Sequence, residues 1–474
     1  MRQAKGRVLV PGRTRFRQVL YVVLALLVAG SLAAGTAVLL RGDSRAGLSA
    51  APGGAGRTPG PVEPPLALPT PVLAALNGAD AGIPATPAGL AKALAARLRD
   101  RRLGPAVAAE VLDLATGEVL YDRGGSRLVV PASTTKITTA AAVLAAFPAD
   151  HRFATRVVAG TTPGEVVLVG GGDLTLSDAP PGRSTWYAGA ARLADLAAAV
   201  RAKGVRVSRV TIDGSLFTGP RLAPGWDPLD VAGGYTTPIT AVMLDAGRRP
   251  GMLARSMQPD LDAGRAFGAA LGVPKVPVRR GPAAATGQVL AEVRSAPLAR
   301  IVEQALLASD NVLAEMLARQ VALSTGQPAS FAGAAAAVRS VLAGYGVPAA
   351  GLKLVDGSGL SRADRLSPDV LLAVLRAAAS DRGTRLRPLF AALPVAGYDG
   401  TLDNRYRSGV TTAGAGDVRA KTGTLAGVSS LAGLVRTADG RLLAFAFLAD
   451  RVPSVRAAEA AWDVAASTLA RCGC

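Results

Sequence analysis

The segment PASTTKITTAAAVLAAF places Ser133 three residues ahead of Lys136, in a run whose other side chains are small, hydroxylated or apolar. On a helix that spacing sets both side chains on one face. A hydroxyl beside an amine, with no carboxylate within several residues to neutralise it, has the makings of a nucleophilic site. The chain has seven lysines, and a serine three residues before one of them arises by chance roughly one time in three, so the pair needs company. For Lys136 to act as a base it must be neutral near pH 7, about three units below its ordinary value. Burial, a second cation at Lys421 and the positive end of the Ser133 helix all push in that direction.

Company comes from two segments downstream. LLASDNVLAEML carries Ser309, Asp310 and Asn311 into a helical apolar pattern, and VRAKTGTLAGVSSL carries Lys421, Thr422, Gly423 and Thr424 up to a hairpin signal. A Lys-Thr-Gly arises by chance roughly one time in twenty, and all of these elements in this order far less often. The set resembles the S-x-x-K, S-D-N and K-T-G signature of the penicillin-recognising serine enzymes. The stretches VDGSGLSRADRLSP, LPVAGYDGTL and VGGGDLTL are similar to segments of one branch of them, the D-alanyl-D-alanine carboxypeptidase/endopeptidase family, or class C low-molecular-mass penicillin-binding proteins. The likeness runs from about residue 90 to the C-terminus.

That resemblance implies a set of roles. Ser133 is the nucleophile and Lys136 its base, with the backbone N–H groups of Ser133 and Thr424 facing the oxyanion. Lys421, Thr422 and Thr424 hold the substrate's terminal carboxylate, while Gly423 keeps the strand open to the approaching substrate. Ser309 relays a proton to the leaving amine, with Lys421 nearby, and Asn311 meets a peptide amide of the substrate. Asp310 reads better as a helix-capping carboxylate than as a chemical group. Asp230, Tyr235 and Arg362 fall where relatives bind the diamino acid of the stem peptide, although a surface ion pair or a packed tyrosine suits each of them equally well. The implied activity is removal of the terminal D-Ala from peptidoglycan stem peptides through a Ser133 acyl-enzyme, or cleavage of a cross-bridge by the same site, with no metal or other cofactor. β-Lactam antibiotics would be covalent inhibitors. The alternatives are a β-lactamase of the same fold and an envelope protein that binds peptidoglycan without cutting it.

Local patterns supply elements to position these groups. Thr86, Pro87 and the spacing of Leu90, Leu94 and Leu98 predict an amphipathic helix. AVAAEVLDL and GEVLYD read as one hairpin, VSSLAGLVR and RLLAFAFLAD as another, and Pro453 to Ala470 as a closing helix. RGGSRLVV reads as a turn into a strand before Ser133, and VGGGDLTL, which lacks the G-K-S/T of a phosphate loop, as a strand-to-loop turn. Together they predict an α+β fold, a β-lactamase/transpeptidase-like sandwich of an antiparallel sheet and a helical region. The 176 residues from Ser133 to Ser309 leave room for a domain inserted between the first and second catalytic motifs. The expected division is residues 86–155 and 295–474 for the peptidase and 156–294 for the insertion.

Composition limits the setting. A net charge of +19 is spread along the chain and only 4% of residues are aromatic, so no nucleic-acid partner is indicated. The single histidine, His151, has no G-x-S-x-G near it, which excludes a Ser-His-Asp hydrolase. Residues 1–18 are basic, and Val19 to Leu40 is an uncharged run of 22 residues, long enough as a helix to span ~33 Å and cross a bilayer. It reads as a transmembrane anchor, or else a signal, that places the catalytic domain outside the membrane. Residues 41–85 are a Pro/Gly/Ala-rich tether. Cys472 and Cys474 receive no role.

Overall fold

The computed structural model describes residues 85–284 and 287–473. The N-terminal basic segment, the apolar run and the tether as far as residue 84 lie outside the described residues, while Ala85, expected to end the tether, is buried in the core beside the first helix; among the described residues no helix is long and apolar enough to cross a membrane.

The first helix, α1 (Pro87–Ala95), starts where Thr86 Oγ1 accepts from the Gly89 N–H at 3.1 Å, with Pro87 in its first turn and Leu90 and Leu94 buried. β1 (Ala106–Asp113) and β2 (Val119–Arg123) form the first hairpin, turned by Asp113 Oδ1, which accepts from the N–H groups of Ala115 and Thr116. No strand follows at RGGSRLVV. Val129 makes one isolated bridge to Leu366, because the chain there turns directly into α2 (Thr135–Ala146).

A second sheet follows, made of β3 (Ala154–Ala159), β4 (Glu165–Val169), β5 (Arg209–Asp213), β6 (Val278–Arg280) and β7 (Val289–Arg294). Its order is β6-β5-β4-β3-β7, with β4-β5 and β5-β6 parallel and the remaining pairs antiparallel. Parallel pairs need crossovers, and α3 (Leu193–Ala202) and α4 (Pro259–Ala270) lie in them. Both helices bury their apolar faces in a core of their own with this sheet.

The chain then enters the helical region: α5 (Leu298–Leu307), α6 (Asn311–Ser324), α7 (Phe331–Ala343), the short strands β8 (Leu352–Lys353) and β9 (Arg365–Leu366), α8 (Pro368–Ala379) and α9 (Pro388–Ala392). It ends in β10 (Val418–Leu425), β11 (Val428–Arg436), β12 (Leu442–Asp450) and α10 (Val455–Ala470). The last three strands pair with the first two in an antiparallel sheet of order β10-β11-β12-β1-β2.

All eight residues of β1 are buried, because helices cover both faces of this sheet. Val107, Ala109, Val111, Phe445 and Phe447 face a core shared with α1 and α10, where Trp462 lies fully buried. Ala108, Leu112, Ala444, Ala446 and Leu448 face the larger core of α2 and α5 to α8. The period of two still sorts side chains between faces, but it shows as a choice between two cores and not as burial against exposure. β10 is an edge strand of this sheet, so one of its sides is left without a strand neighbour, and Lys421 to Thr424 lie on it.

Candidate active site

Ser133 lies in a 3₁₀ turn, Ala132–Thr134, that leads into α2. The turn requires φ of +49° at Ala132, a left-handed conformation costing a non-glycine residue about 1–2 kcal/mol. Packing holds it there. The carbonyl of Pro131 accepts from Ser430 Oγ and Thr134 Oγ1, each at 2.7 Å. Gly359 backs directly onto Ala132, where any Cβ would stand 1.9 Å from the Ala132 carbonyl oxygen.

One turn on, Lys136 is buried, and its Nζ donates to Ser133 Oγ at 2.8 Å, to Asn311 Oδ1 at 2.6 Å and to the Ser358 carbonyl at 2.8 Å. All three acceptors are uncharged. Burial lowers the Lys136 amine to about 8, working against Asp356, Asp310, Glu315 and Asp364, whose fields favour its charge. The sequence led us to expect Lys421 to repel the charge on Lys136. The repulsion is mutual, and Lys421 is pushed well below the usual lysine range by burial first and by Lys136 second. The carboxylates cluster around Lys136, so the field favours the charge there over the one on Lys421.

Ser309 and Asp310 occupy a junction of two helix caps. α5 ends in a Schellman motif, with the Ser309 N–H donating to the Leu306 carbonyl, the Asp310 N–H to that of Ala305, and Ser309 at φ +51°. Asp310 caps α6, its Oδ1 accepting from the N–H groups of Val312 and Leu313. Its Oδ2 accepts from Tyr187 Oη and Arg248 Nη2, both at 2.7 Å, with Arg255 also close. Burial would raise this carboxyl, but Arg255 and Arg248 hold it well below the usual carboxylate range. Asp310 is therefore a structural anion that locks α6 to the Tyr187 and Arg248 segments.

Lys421 Nζ reaches Ser309 Oγ at 2.9 Å and the Thr422 carbonyl at 2.8 Å. Thr422 Oγ1 donates to Thr401 Oγ1 at 2.9 Å, and Thr424 Oγ1 donates to Glu459 Oε1 at 2.8 Å. Gly423 was expected to leave room for the substrate. A Cβ there would instead meet Ser430 Oγ at 2.0 Å, the Pro131 carbonyl at 2.7 Å and the Ser133 nitrogen at 3.2 Å. The glycine lets β10 lie flush against the nucleophile turn.

With Oδ1 on Lys136 and Nδ2 donating to the Tyr235 carbonyl at 3.0 Å, the Asn311 amide orients the lysine and keeps a second Nδ2 hydrogen for another acceptor. Tyr235 thus joins the site through its backbone, while its side chain is exposed. Asp230 shapes the same loop: its carbonyl accepts from the Tyr235 N–H at 2.8 Å and its carboxylate from the Asp227 N–H at 2.9 Å. Burial raises that carboxyl to about 6. Arg362 donates to the Ala426 carbonyl, in the turn after β10. His151 stands apart from these contacts, packed between Phe147 and Phe153.

Several contributors left no mark in local sequence. Ser358 reaches Lys136 only because Asp356 accepts from the N–H groups of Ser358, Gly359 and Ser361, and Glu315 accepts from that of Gly357. Thr401 lies in the LPVAGYDGTL stretch, where its type alone says nothing of a partner on β10. Glu459 belongs to the closing helix, and its periodicity marks it only as a residue beside the buried face.

A nucleophile-lysine pair at the start of a central helix, beside the edge strand of an antiparallel sheet covered by helices on both faces, defines the class of penicillin-recognising serine enzymes. Within that class the chain belongs to the D-Ala-D-Ala carboxypeptidase 3 (S13) family, which it matches over residues 90–253 and 248–469. It is 44% identical over 473 residues to carboxypeptidase DacB of Mycolicibacterium smegmatis, covering 97% of this chain and 99% of that one. A D-alanyl-D-alanine carboxypeptidase of an Actinomadura species is 32% identical over 422 residues, covering 70% of this chain and 75% of that one. The crystal structure of penicillin binding protein 4 from Haemophilus influenzae shares the fold, with a TM-score of 0.65 and 23% identity over 80% of this chain and 98% of that one.

Proposed function

We propose that this chain is a serine-type D-Ala-D-Ala carboxypeptidase that trims peptidoglycan stem peptides through an acyl-enzyme on Ser133, and that β-lactams acylate the same serine. The observation that carries the reading is the 2.8 Å contact between a buried lysine and Ser133 Oγ, made where the lysine has no carboxylate as a hydrogen-bond partner. Neutral Lys136 takes the Ser133 proton as Oγ attacks the carbonyl of the penultimate D-Ala, with the Ser133 and Thr424 N–H groups facing the oxyanion. As the tetrahedral intermediate collapses, the proton reaches the leaving amine by way of Ser309, on which Lys421 sits. Water then releases the acyl group. The substrate's carboxylate takes Thr422, Thr424 and Lys421 as partners, and its arrival favours the charged form of Lys421 that burial otherwise suppresses. Asn311 orients Lys136 and offers its second Nδ2 hydrogen to a peptide amide of the substrate. Asp230, Tyr235 and Arg362 would meet the diamino acid of the stem peptide. The same chemistry cuts a cross-bridge when the leaving amine belongs to another stem. A tether through Val19 to Leu40 would hold the domain outside the cell membrane, facing that substrate.

Penicillin separates this reading from its rivals. Its leaving group stays attached after the ring opens and obstructs the incoming water, so a peptidase is trapped. The expected result is a denaturation-resistant 1:1 adduct on the peptide containing Ser133, absent in Ser133→Ala, together with loss of one D-Ala from a cell-wall pentapeptide by mass. Rapid turnover of penicillin would indicate a β-lactamase, and a folded protein with neither labelling nor cleavage would indicate a binding protein.

A further inference from the structure

Asn311, Glu315 and Arg319 follow one another at four-residue steps along α6, so they share one face of the helix, and all three are buried. Asn311 meets Lys136. One turn on, the two carboxylate oxygens of Glu315 accept from the Gly357 N–H at 3.0 and 3.1 Å. The same stretch of chain is held from its other side by α2, where Thr139 Oγ1 donates to the Gly357 carbonyl at 2.6 Å and Lys136 Nζ to the Ser358 carbonyl at 2.8 Å. A Cβ on Gly357 would stand 2.5 Å from that of Ala318, so the turn lies directly on α6. Glu315 is therefore the α6 end of a bridge whose α2 end is the base.

Four carboxyl groups face Lys136: Asp310 and Glu315 from α6, and Asp356 and Asp364 from the segment between β8 and β9. Lys421 of β10 faces it as a second cation. Arg255 and Arg248 hold Asp310 well below the usual carboxylate range. Asp356 accepts from the N–H groups of Ser358, Gly359 and Ser361 and from Trp226 Nε1. Asp364 is pushed up to about 10, by burial first and Asp356 second, so it keeps its proton. Glu315 differs from these. Burial first and Asp356 second raise it to about 7, against Arg319. Arg319 lies 3.6 Å from it, over the Phe331 ring at 4.1 Å, and its three guanidinium nitrogens make no hydrogen bond among the described residues.

We propose that Glu315 is a positioning residue for acylation, which holds the Ser358 carbonyl against the Lys136 amine and, by its negative charge, delays the loss of that amine's proton. The inference rests on Lys136 being the base. Without the charge, one fewer anion faces the amine and the base form appears at lower pH. Without the anchor on Gly357, the amine loses a fixed partner and acylation falls at every pH.

The test follows the second-order rate of acylation by a fluorescent penicillin in the full chain, from about pH 5.5 to 9.5. Glu315→Gln keeps an acceptor for the Gly357 N–H and removes only the charge. Its midpoint should move down by about half a pH unit or more, with a plateau within about threefold of the wild type. Glu315→Leu combined with Arg319→Met replaces the buried pair by apolar side chains of similar size, a change that buried ion pairs tolerate. The double variant loses the anchor, so its plateau should fall about tenfold or more while the protein stays folded. Where Glu315→Gln fails to fold, the midpoint of the double variant is read instead; it too should move down, because Glu315 is one turn nearer the amine than Arg319. A midpoint that stays or rises would overturn the role of the charge, and a double variant with the wild-type plateau would overturn the anchor. Failure of the underlying reading looks different: a wild-type rate flat across this range rejects Lys136 as the base whatever the variants show.

Discussion

Lys136 controls the pH behaviour of the site. Only its neutral form can take the Ser133 proton, and its amine, lowered by burial to about 8, is still mostly protonated at pH 7. The base form increases as pH rises through that value, so kcat/KM for acylation should climb across neutrality and level off above about 8. A rate already flat between pH 6 and 9 would count against Lys136 as the base. Because the serine and lysine act as one unit, Ser133→Ala and Lys136→Ala should each cost about a thousandfold or more in acylation while the protein stays folded. His151→Ala should change little, since the ring packs between Phe147 and Phe153 at centroid distances of 4.7 and 5.0 Å and touches none of the site residues.

At the scale of elements, the site depends on how closely the edge strand β10 approaches the turn ahead of α2. Gly423 permits that approach, and a methyl group there would overlap Ser430 Oγ at 2.0 Å and crowd the Pro131 carbonyl at 2.7 Å. Gly423→Ala should therefore shift the strand, lowering stability by about 1–3 kcal/mol and acylation by about a hundredfold. Adding Ser430→Ala removes the worse overlap and leaves the second, so the double variant should recover part of the thermal stability. Recovery is read from the melting temperature, and acylation from labelling by a fluorescent penicillin. A single variant with wild-type values on both measures would show that the strand and turn are not closely fitted.

Beyond the catalytic unit, the whole molecule includes an N-terminal stretch that lies outside the described residues and is read from sequence alone. Six basic residues precede Val19 to Leu40, and a Pro- and Gly-rich segment follows, a pattern that suits an inward basic flank, a membrane span and an external tether. The full chain should sediment with membranes, and protease added outside intact cells should release a fragment beginning within residues 41–85. A soluble, N-terminally trimmed protein in the medium would instead indicate a cleaved signal. The +19 charge adds attraction to anionic envelope polymers, so release from cell-wall material should rise with salt.

The groups that carry chemistry were legible because each motif is local. Ser133 and Lys136 meet across one helical turn, Ser309 and Asp310 lie where one cap hands over to the next, and Lys421 to Thr424 run along one strand; short spacings of this kind leave a pattern in sequence. The helix at Thr86, both hairpins and the closing helix were legible for the same reason, through caps, turn residues and hydrophobic period. What the tertiary structure decided is how those pieces are joined. Asn311 is 175 residues from Lys136 and Ser358 is 222, so nothing local reveals that both of them hold its amine. Gly423 shows its reason only once the Pro131 carbonyl and Ser430 stand beside it. Glu459 is one partly buried residue of a helix until α10 brings it against Thr424. Residue types and short spacings specify which groups are available, whereas the close packing of distant elements determines which of them touch, and with it their charge states and the donors left for a ligand.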